Sequence, residues 1–169
     1  TVEKGRLIEF RLHGDRKLAV AERPEGKTNW VVQDERGQSY TVHPRQITYE
    51  VSGQSYQAKE IPKFRQEVEL YLDPSSVEVA WEILVEDQAS VNVPEMAQLL
   101  FSEQSPPQCY AAYYLISEDK LYFKQKGDRY EPRPRSLVEE LKHQIEVANQ
   151  RKRESEEFLA LVQQALAGQ

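Results

Sequence analysis

The sequence predicts an α+β fold in which a small β-barrel comes first, a helical domain with a two-stranded hairpin follows, and a long helix ends the chain. Three observations lead to this prediction. Five short alternating segments occupy residues 4–51, a capped helix leads into a hairpin within residues 105–134, and apolar residues recur at helical spacing from residue 135 to residue 169.

Residues 1–51 are predicted to form an SH3-like β-barrel. The strand segments read GRLIEFRL, KLAVAER, NWVVQD, SYTVH and TYEV, and turn signals rich in Gly, Pro and Asp separate them. Strands this short and this evenly spaced are typical of a small barrel, whose closure protects the strand edges. The segment HPRQI resembles the single helical turn that precedes the last strand of SH3-like barrels. Residues 52–61 are small and polar and are interpreted as a linker.

Residues 62–134 are predicted to form a winged-helix domain with a lead helix. Asp73 is expected to cap the second helix, and SVNV to form a short strand. The apolar side chains expected to face inward are Phe64, Val68 and Leu72 in the lead helix, Val77, Ala80, Trp81 and Leu84 in the second, and Met96, Leu99 and Leu100 in the third.

The last helix of this domain and the hairpin after it carry the clearest signals. Ser105 is a capping residue, Pro106 suits the first helical position, and Gln108 lies three residues after the cap. LYFKQ then alternates apolar and polar residues, KGD turns, and RYEPR alternates back. A capped helix that leads into a hairpin is typical of the second half of a winged helix.

Residues 135–169 are predicted to form one long helix with a heptad-like seam. The seam consists of Leu137, Leu141, Ile145, Ala148, Lys152, Ser155, Leu159, Val162 and Leu166. Its middle, NQRKRESEE, is polar, so both ends are expected to pack while the centre stays in water.

Neither charge nor composition indicates an enzyme or a membrane protein. The net charge is −6, with +1 in residues 1–56, −7 in residues 57–104 and +2 in residues 105–135, so a basic surface is expected to be local. The apolar runs are far shorter than the ~20 residues of a membrane helix. The histidines lack zinc-ligand spacing, and Cys109 is expected to be a small buried hydrophobe. The sequence therefore gives no catalytic residue, no metal ligand and no cofactor for this chain.

The hairpin and the barrel supply the candidate contacts to single-stranded RNA. The hairpin candidates are Lys120, Lys124, Lys126, Arg129 and Arg133. Alternate residues of a hairpin share a face, so Lys124 and Lys126 are expected to point together. The barrel candidates are Arg11, Arg45, Trp30 and Tyr49, within a wider group that includes Arg6, Arg16, Lys17 and Tyr40. Basic and aromatic side chains in combination suit single strands.

Two readings of the tyrosine cluster remain open. These tyrosines could fill the core between the last helix and the hairpin, or they could form a surface on which bases stack. The cluster consists of Tyr110, Tyr113, Tyr114, Tyr122 and Tyr130. The helix QCYAAYYLISED contains no Arg or Lys, which disfavours sequence-specific reading of a DNA groove.

Four segments together resemble the N-terminal region of the ribonuclease II/R (RNB) family, in its cyanobacterial and chloroplast branch: EKGRLIEFRL, HPRQITYEVSGQSY, YLDPSSVEVAWEIL and LLFSEQSPPQCYAAYYLISEDKLYFKQKGDRYEPRP. The resemblance implies 3′-to-5′ exonucleolytic hydrolysis of RNA by a separate catalytic domain, expected after Gln169, that holds Mg²⁺ with clustered aspartates. It also implies that the N-terminal domains help to admit single-stranded RNA. Better-known members carry cold-shock-type barrels here, whereas this strand pattern favours an SH3-like one.

The function expected from the residues and the resemblance is an accessory RNA-binding and RNA-positioning region, itself non-catalytic, of a 3′–5′ exoribonuclease. Its expected partners are single-stranded RNA and the catalytic domain of the same chain, in the cytoplasm or the chloroplast stroma. The alternative is a protein-interaction module that docks a partner through the winged helix and does not contact RNA.

Overall fold

The computed structural model describes residues 2–168 of the chain. Seven strands and five α-helices follow one another in the order β1 (Leu7–Leu12), β2 (Asp15–Glu25), β3 (Asn29–Gln33), β4 (Ser39–Val42), β5 (Ile47–Glu50), α1 (Ile61–Glu69), α2 (Ser75–Leu84), α3 (Val93–Phe101), α4 (Pro106–Glu118), β6 (Phe123–Lys126), β7 (Arg129–Pro132) and α5 (Arg135–Ala167). The predicted α+β class and the order of the elements are confirmed.

The first five strands form one antiparallel sheet in the order β4-β3-β2-β1-β5. A 3₁₀ turn, Pro44–Gln46, joins β4 to β5 at the predicted place, and the His43 side chain caps it by accepting from the Arg45 N–H. The inner face of the sheet packs Ile8, Phe10 and Val32 together with the apolar side chains of β2 and β4. Because side chains alternate along a strand, the neighbours Leu7 and Glu9 point to the opposite face.

That opposite face of the sheet is covered by helices α1 and α4. Phe64 and Val68 of α1 and Tyr110 of α4 lie in the same buried cluster as Leu7 and Val51. The described chain divides into two compact units, and this cluster belongs to the first, which comprises residues 1–74 and 93–116. The sheet and helix α4 therefore share one hydrophobic core.

Residues 52–61, interpreted from sequence as a linker, contact the sheet. The Tyr56 N–H donates to the Gly5 carbonyl at 2.8 Å, and the Tyr56 side chain is buried with its ring 5.7 Å from that of Phe64. A 3₁₀ turn, Ala58–Glu60, then leads directly into α1. Tyr56 and the fully buried Ile61 thus pack this mostly polar segment into the core of the first unit.

Helix α4 begins with the capping box that the sequence predicts. The Ser105 N–H donates to Gln108 Oε1 at 3.1 Å, and the Gln108 N–H donates to Ser105 Oγ at 3.4 Å. The inward residues of the preceding helices are confirmed in part. Met96 and Trp81 are buried as expected, whereas Leu84, Leu99 and Leu100 are only half-buried.

The second compact unit comprises residues 75–92 and 117–169, with helix α2, the hairpin β6–β7 and helix α5. The predicted strand SVNV is reduced to a single antiparallel bridge between Val91 and Tyr130. The segment is too short for a ladder, but its two backbone hydrogen bonds to Tyr130, 2.7 and 3.0 Å long, still attach it to the hairpin. The prediction of a strand was therefore wrong in extent and right in place.

The expected packing of the α5 seam is confirmed in part at its first end and is not found at its far end. At the first end Val138 is buried and the seam residue Leu141 is half-buried, whereas the seam residue Leu137 is 38% exposed. At the far end Leu159 and Leu166 are 57% and 66% exposed. The seam was read from spacing alone, and spacing does not say whether a partner surface is present among residues 2–168.

Candidate nucleic-acid interface

The hairpin β6–β7 presents a basic face, as its alternation predicts. In the antiparallel register Lys124 lies opposite Glu131, and Lys126 lies opposite Arg129. Residues directly opposite share a face, so these four side chains point together. The two-residue turn between the strands places Gly127 at φ +65°, a conformation that glycine adopts without strain. Phe123 and Tyr130 alternate with this face and are buried.

The basic residues of this face differ in how far they are already engaged. The Arg129 guanidinium donates to Ser90 Oγ and to the Ser90 carbonyl, both at 2.9 Å. These hydrogen bonds attach the segment before α3 to the hairpin. Lys126 Nζ lies 3.9 Å from Glu131 Oε1, an exposed contact that solvent weakens. Lys124 is exposed and forms no ion pair within residues 2–168.

Lys120 and Arg133 lie at the base of the hairpin. The Arg133 guanidinium donates to the Lys120 carbonyl at 2.8 Å, so Arg133 holds the turn that leads into β6. The Asp119 carboxylate accepts from the N–H groups of Leu121, Tyr122 and Phe123 in the same turn. The Lys120 side chain is exposed. Lys120, Lys124 and Lys126 are therefore the hairpin cations that extend into solvent.

The barrel candidates form no single surface. Arg11 donates to the Gly14 carbonyl at 3.1 Å, and Gln46 Nε2 donates to the Arg11 carbonyl at 3.4 Å, which brings the turn with exposed Arg45 beside Arg11. Trp30 is half-buried against the inner core of the barrel. Tyr49 stacks on Tyr113 with ring centroids 4.6 Å apart, so one face of its ring is already covered.

Sequence reasoning missed the most tightly bound charge of the first unit. Glu9 is fully buried, and its carboxylate accepts from the Arg16 guanidinium and the Tyr110 hydroxyl, both at 2.7 Å, from the Tyr113 hydroxyl at 3.1 Å, and from the Thr48 hydroxyl. Burial raises the pKa of this carboxyl, but the hydrogen bonds from Thr48, Arg16 and Tyr110 outweigh it and leave the pKa below its ordinary value. Glu9 lies on the same strand face as Leu7, and only the helices packed there show that this face is buried.

Core filling is confirmed for Tyr110 and Tyr130, which are 5% exposed each. The sequence analysis expected this core to lie between α4 and the hairpin. Tyr110 instead contacts Glu9 of the barrel and the Phe64 ring of α1. Burial of the Tyr110 hydroxyl beside Glu9 raises its pKa. Since α4 places Tyr110 and Tyr113 against the sheet, those two side chains are not available to contact a nucleic-acid groove.

No cluster of three or more His, Cys, Asp or Glu side chains able to hold a metal ion occurs in residues 2–168. Cys109 is buried, its thiol lies 3.4 Å from the Gln104 carbonyl, and burial raises its pKa. Cys109 is 7% exposed, which confirms the prediction of a small buried side chain at this position. Within the same described range, none of the helices has the length and apolar character needed to cross a bilayer.

Comparison with known domain families identifies both halves of the chain. Residues 2–61 match a family described as a CSD-like barrel domain, and residues 63–137 match the winged helix domain of ribonuclease II. The chain belongs to the ribonuclease II family. The matched CSD-like barrel domain corresponds to the five-stranded sheet of β1 to β5. The sequence analysis predicted an SH3-like barrel here because of the helical turn before the last strand, and that turn is present.

Two curated relatives come from the branch that the resemblance indicated. An uncharacterized ribonuclease of Synechocystis sp. is 55% identical over 168 residues, which are 99% of this chain and 25% of the relative. A chloroplastic/mitochondrial ribonuclease II of Arabidopsis thaliana is 37% identical over 171 residues, which are 97% of this chain and 21% of the relative. The chain thus spans about a quarter of the length of the curated relatives it matches.

Proposed function

We propose that this chain is an accessory region of a 3′–5′ exoribonuclease that binds and positions single-stranded RNA and performs no chemistry itself. The observation that carries the proposal is the basic face of the hairpin, where Lys124 and Lys126 extend into solvent within a winged helix of the ribonuclease II family. Lysines on an exposed strand suit contacts to a phosphate backbone, which bind RNA without reading its sequence.

The other parts of the proposal concern the full-length protein. Cleavage would occur in a catalytic domain of the same chain, which would hold Mg²⁺, and the protein would act in the cytoplasm or the chloroplast stroma. The exposed apolar residues near the end of α5, among them Phe158, Leu161 and Leu166, supply a surface on which such a domain could pack. This arrangement would leave the basic hairpin to contact RNA.

A charge reversal on the hairpin tests the proposal. The variant K124E/K126E should bind mixed-sequence single-stranded RNA more weakly, with a salt dependence shallower by about 0.7 per lost phosphate contact. Its matched control is R151E/K152E, which makes the same charge change at exposed positions of α5. Binding is measured by fluorescence anisotropy of labelled RNA across a salt series.

The runner-up function is a protein-interaction module, favoured by the same exposed apolar residues of α5. It predicts that the unaltered chain binds no RNA even at about 0.01 M salt, where the screening length is about 30 Å. An equal loss of binding in K124E/K126E and in the α5 control would show that total charge matters and that the hairpin has no special role.

A further inference from the structure

Helix α5 extends well beyond the part of it that packs in the second compact unit. Near its start Val138 is buried, and Lys142 Nζ lies 3.9 Å from Glu78 Oε1 and 5.5 Å from the centre of the Tyr122 ring. Every residue from 148 to 168, by contrast, is exposed. This exposed part is about 30 Å long at 1.5 Å per residue. Because helices in proteins take most of their stability from the packing of an apolar face, we expect it to have a partner.

The exposed part of α5 carries apolar residues at heptad spacing, which is the pattern of a helix that pairs with another helix. Ile145, Leu159 and Leu166 on this pattern are 49%, 57% and 66% exposed. We call the complete set the heptad stripe: Val138, Ile145, Lys152, Leu159 and Leu166 at the first apolar position of the heptad, and Leu141, Ala148, Ser155 and Val162 at the second.

The heptad stripe matches itself when two copies of α5 run antiparallel about a two-fold axis between residues 153 and 154. A two-fold interface is self-complementary, so a residue that faces a second residue is faced in turn by that residue's copy. The apolar layers on each side of the axis pair Ala148 with Leu159, Ile145 with Val162, and half-buried Leu141 with Leu166. Apolar side chains therefore meet apolar side chains along the whole exposed stripe outside its centre.

Lys152 and Ser155 are the polar residues of the stripe, and they select this register. In the antiparallel pair they face each other at the centre, next to solvent at the ends of both side chains. A parallel pair in register would place Lys152 against its own copy, and an antiparallel pair shifted by one heptad would place it against Ala148 or Val162. A single lysine at such a position fixes the register and orientation of paired helices.

The charges that flank the centre are complementary in the same register. Residues 151–153 are all basic, and three of the next four residues, Glu154, Glu156 and Glu157, are acidic. The antiparallel arrangement brings the basic run of each copy level with the acidic run of the other. A parallel pair would bring like charges level, which is unfavourable. Complementary charges of this kind set which partner a helix accepts and in which direction.

We propose that two copies of this chain pair through α5 as an antiparallel coiled coil centred between residues 153 and 154. A second copy is the partner because the polar centre, the apolar layers and the flanking charges all match themselves, which an unrelated surface would not do. Phe158 and Leu161 lie outside the heptad stripe, so pairing leaves them to a catalytic domain of the same chain. The inference goes beyond the proposed RNA binding and does not depend on it.

The first test is the mass of the whole chain in solution. Sedimentation from micromolar to submillimolar concentration should show the mass rising from 19.7 kDa towards twice that value. The variant L159E/V162E should weaken self-association at least about tenfold, because its carboxylates would be buried against Ala148 and Ile145 of the other copy. The matched control is A160E/L161E, which makes the same charge change on α5 outside the stripe. All four positions are exposed, so neither variant disturbs the core.

The orientation is tested by cross-linking the variants A148C and L159C, each with C109A to remove the buried native thiol. In the antiparallel pair position 148 faces position 159, whereas the two copies of position 148 lie about 16 Å apart along the helix axis. A short bismaleimide should therefore join A148C to L159C when the two are mixed and should join neither variant to itself. A size tag on one variant identifies the product.

The outcomes decide this inference separately from the proposed function. A chain that stays monomeric over the whole concentration range would overturn the pairing, and so would equal losses in L159E/V162E and A160E/L161E. Cross-linking of A148C to itself would overturn the antiparallel register. Lys124 and Lys126 lie outside α5, so K124E/K126E should pair like the unaltered chain, whereas R151E/K152E should pair more weakly because it places like charges level. The opposite result for these two variants would contradict the charge match.

Discussion

Glu9 shows how one residue can couple a sheet to a helix. Its carboxylate is fully buried, yet hydrogen bonds from Arg16, Tyr110, Tyr113 and Thr48 surround it. A buried ion pair adds little net stability compared with apolar packing, but removal of one partner leaves an uncompensated charge. The contacts from Tyr110 and Tyr113 also fix the rotation of α4 about its axis.

We predict that E9Q destabilises the fold by about 3 kcal/mol at pH 7, because the buried ion pair between Glu9 and the Arg16 guanidinium is lost. Urea unfolding measures the change. The matched control is E3Q, whose carboxylate is exposed and which should change the free energy of unfolding by less than about 0.5 kcal/mol. Similar unfolding midpoints for E9Q and E3Q would contradict the coupling role of Glu9.

Glu9 also predicts a specific pH dependence. A carboxyl whose pKa is lower in the folded state stabilises the fold above its unfolded pKa, about 4.3 for glutamate. That contribution is lost as the pH falls from there through the lower folded pKa. The difference in unfolding free energy between the unaltered chain and E9Q should therefore be constant above about pH 5 and shrink below about pH 4. A difference that does not vary with pH would show that folding leaves the pKa of Glu9 unchanged, and a difference that grows as the pH falls would show that folding raises it.

At the scale of elements, Trp81 organises the second compact unit around α2. The indole is 4% exposed, its N–H donates to the Arg133 carbonyl at 2.7 Å, and its ring lies 5.2 Å from that of Tyr122. The Arg135 guanidinium lies 5.1 Å from the same ring. One side chain of α2 thus contacts the base of the hairpin and the start of α5.

We predict that W81A destabilises the second unit by about 3–5 kcal/mol, the usual cost of removing a large buried aromatic side chain. Thermal or urea unfolding followed by circular dichroism measures the loss. V79A on the same helix is the control, because Val79 is 56% exposed and its truncation leaves no cavity. An unfolding midpoint of W81A equal to that of V79A would refute the assigned role.

At the scale of the whole molecule, the described residues combine a basic hairpin face with a buried charge network around Glu9. Hydrolysis by the metal-ion route needs clustered oxygen ligands, and residues 2–168 contain no such cluster. The buried Glu9 is saturated with hydrogen bonds and serves the fold. The two curated relatives are about four and about five times as long as the region that each shares with this chain.

We predict that the purified chain does not shorten a 5′-labelled single-stranded RNA, with or without Mg²⁺, over a time in which a known ribonuclease degrades it completely. Gel electrophoresis of the labelled RNA gives the result. Cleavage that copurifies with the chain and disappears in a point variant of it would place catalysis within these residues. Cleavage that is unaffected by every such variant would indicate a contaminant.

The sequence by itself determined the class, the order of elements and the local devices. Alternation along the strands, the capping box at Ser105 and Gln108, and the shared face of Lys124 and Lys126 depend on neighbours within a few residues, so they can be read from spacing. The burial of Trp81 and Met96 followed from helical periodicity in the same way.

Only the tertiary structure decided which faces meet. Glu9 and Tyr110 are 101 residues apart, and no local pattern shows that α4 covers the strand face on which Glu9 lies. Arg129, a candidate RNA contact by sequence, donates to the side chain of Ser90, 39 residues earlier in the chain. The physical reason is that alternation and periodicity distinguish the two faces of an element, whereas the partner of each face is fixed by packing between segments distant in sequence.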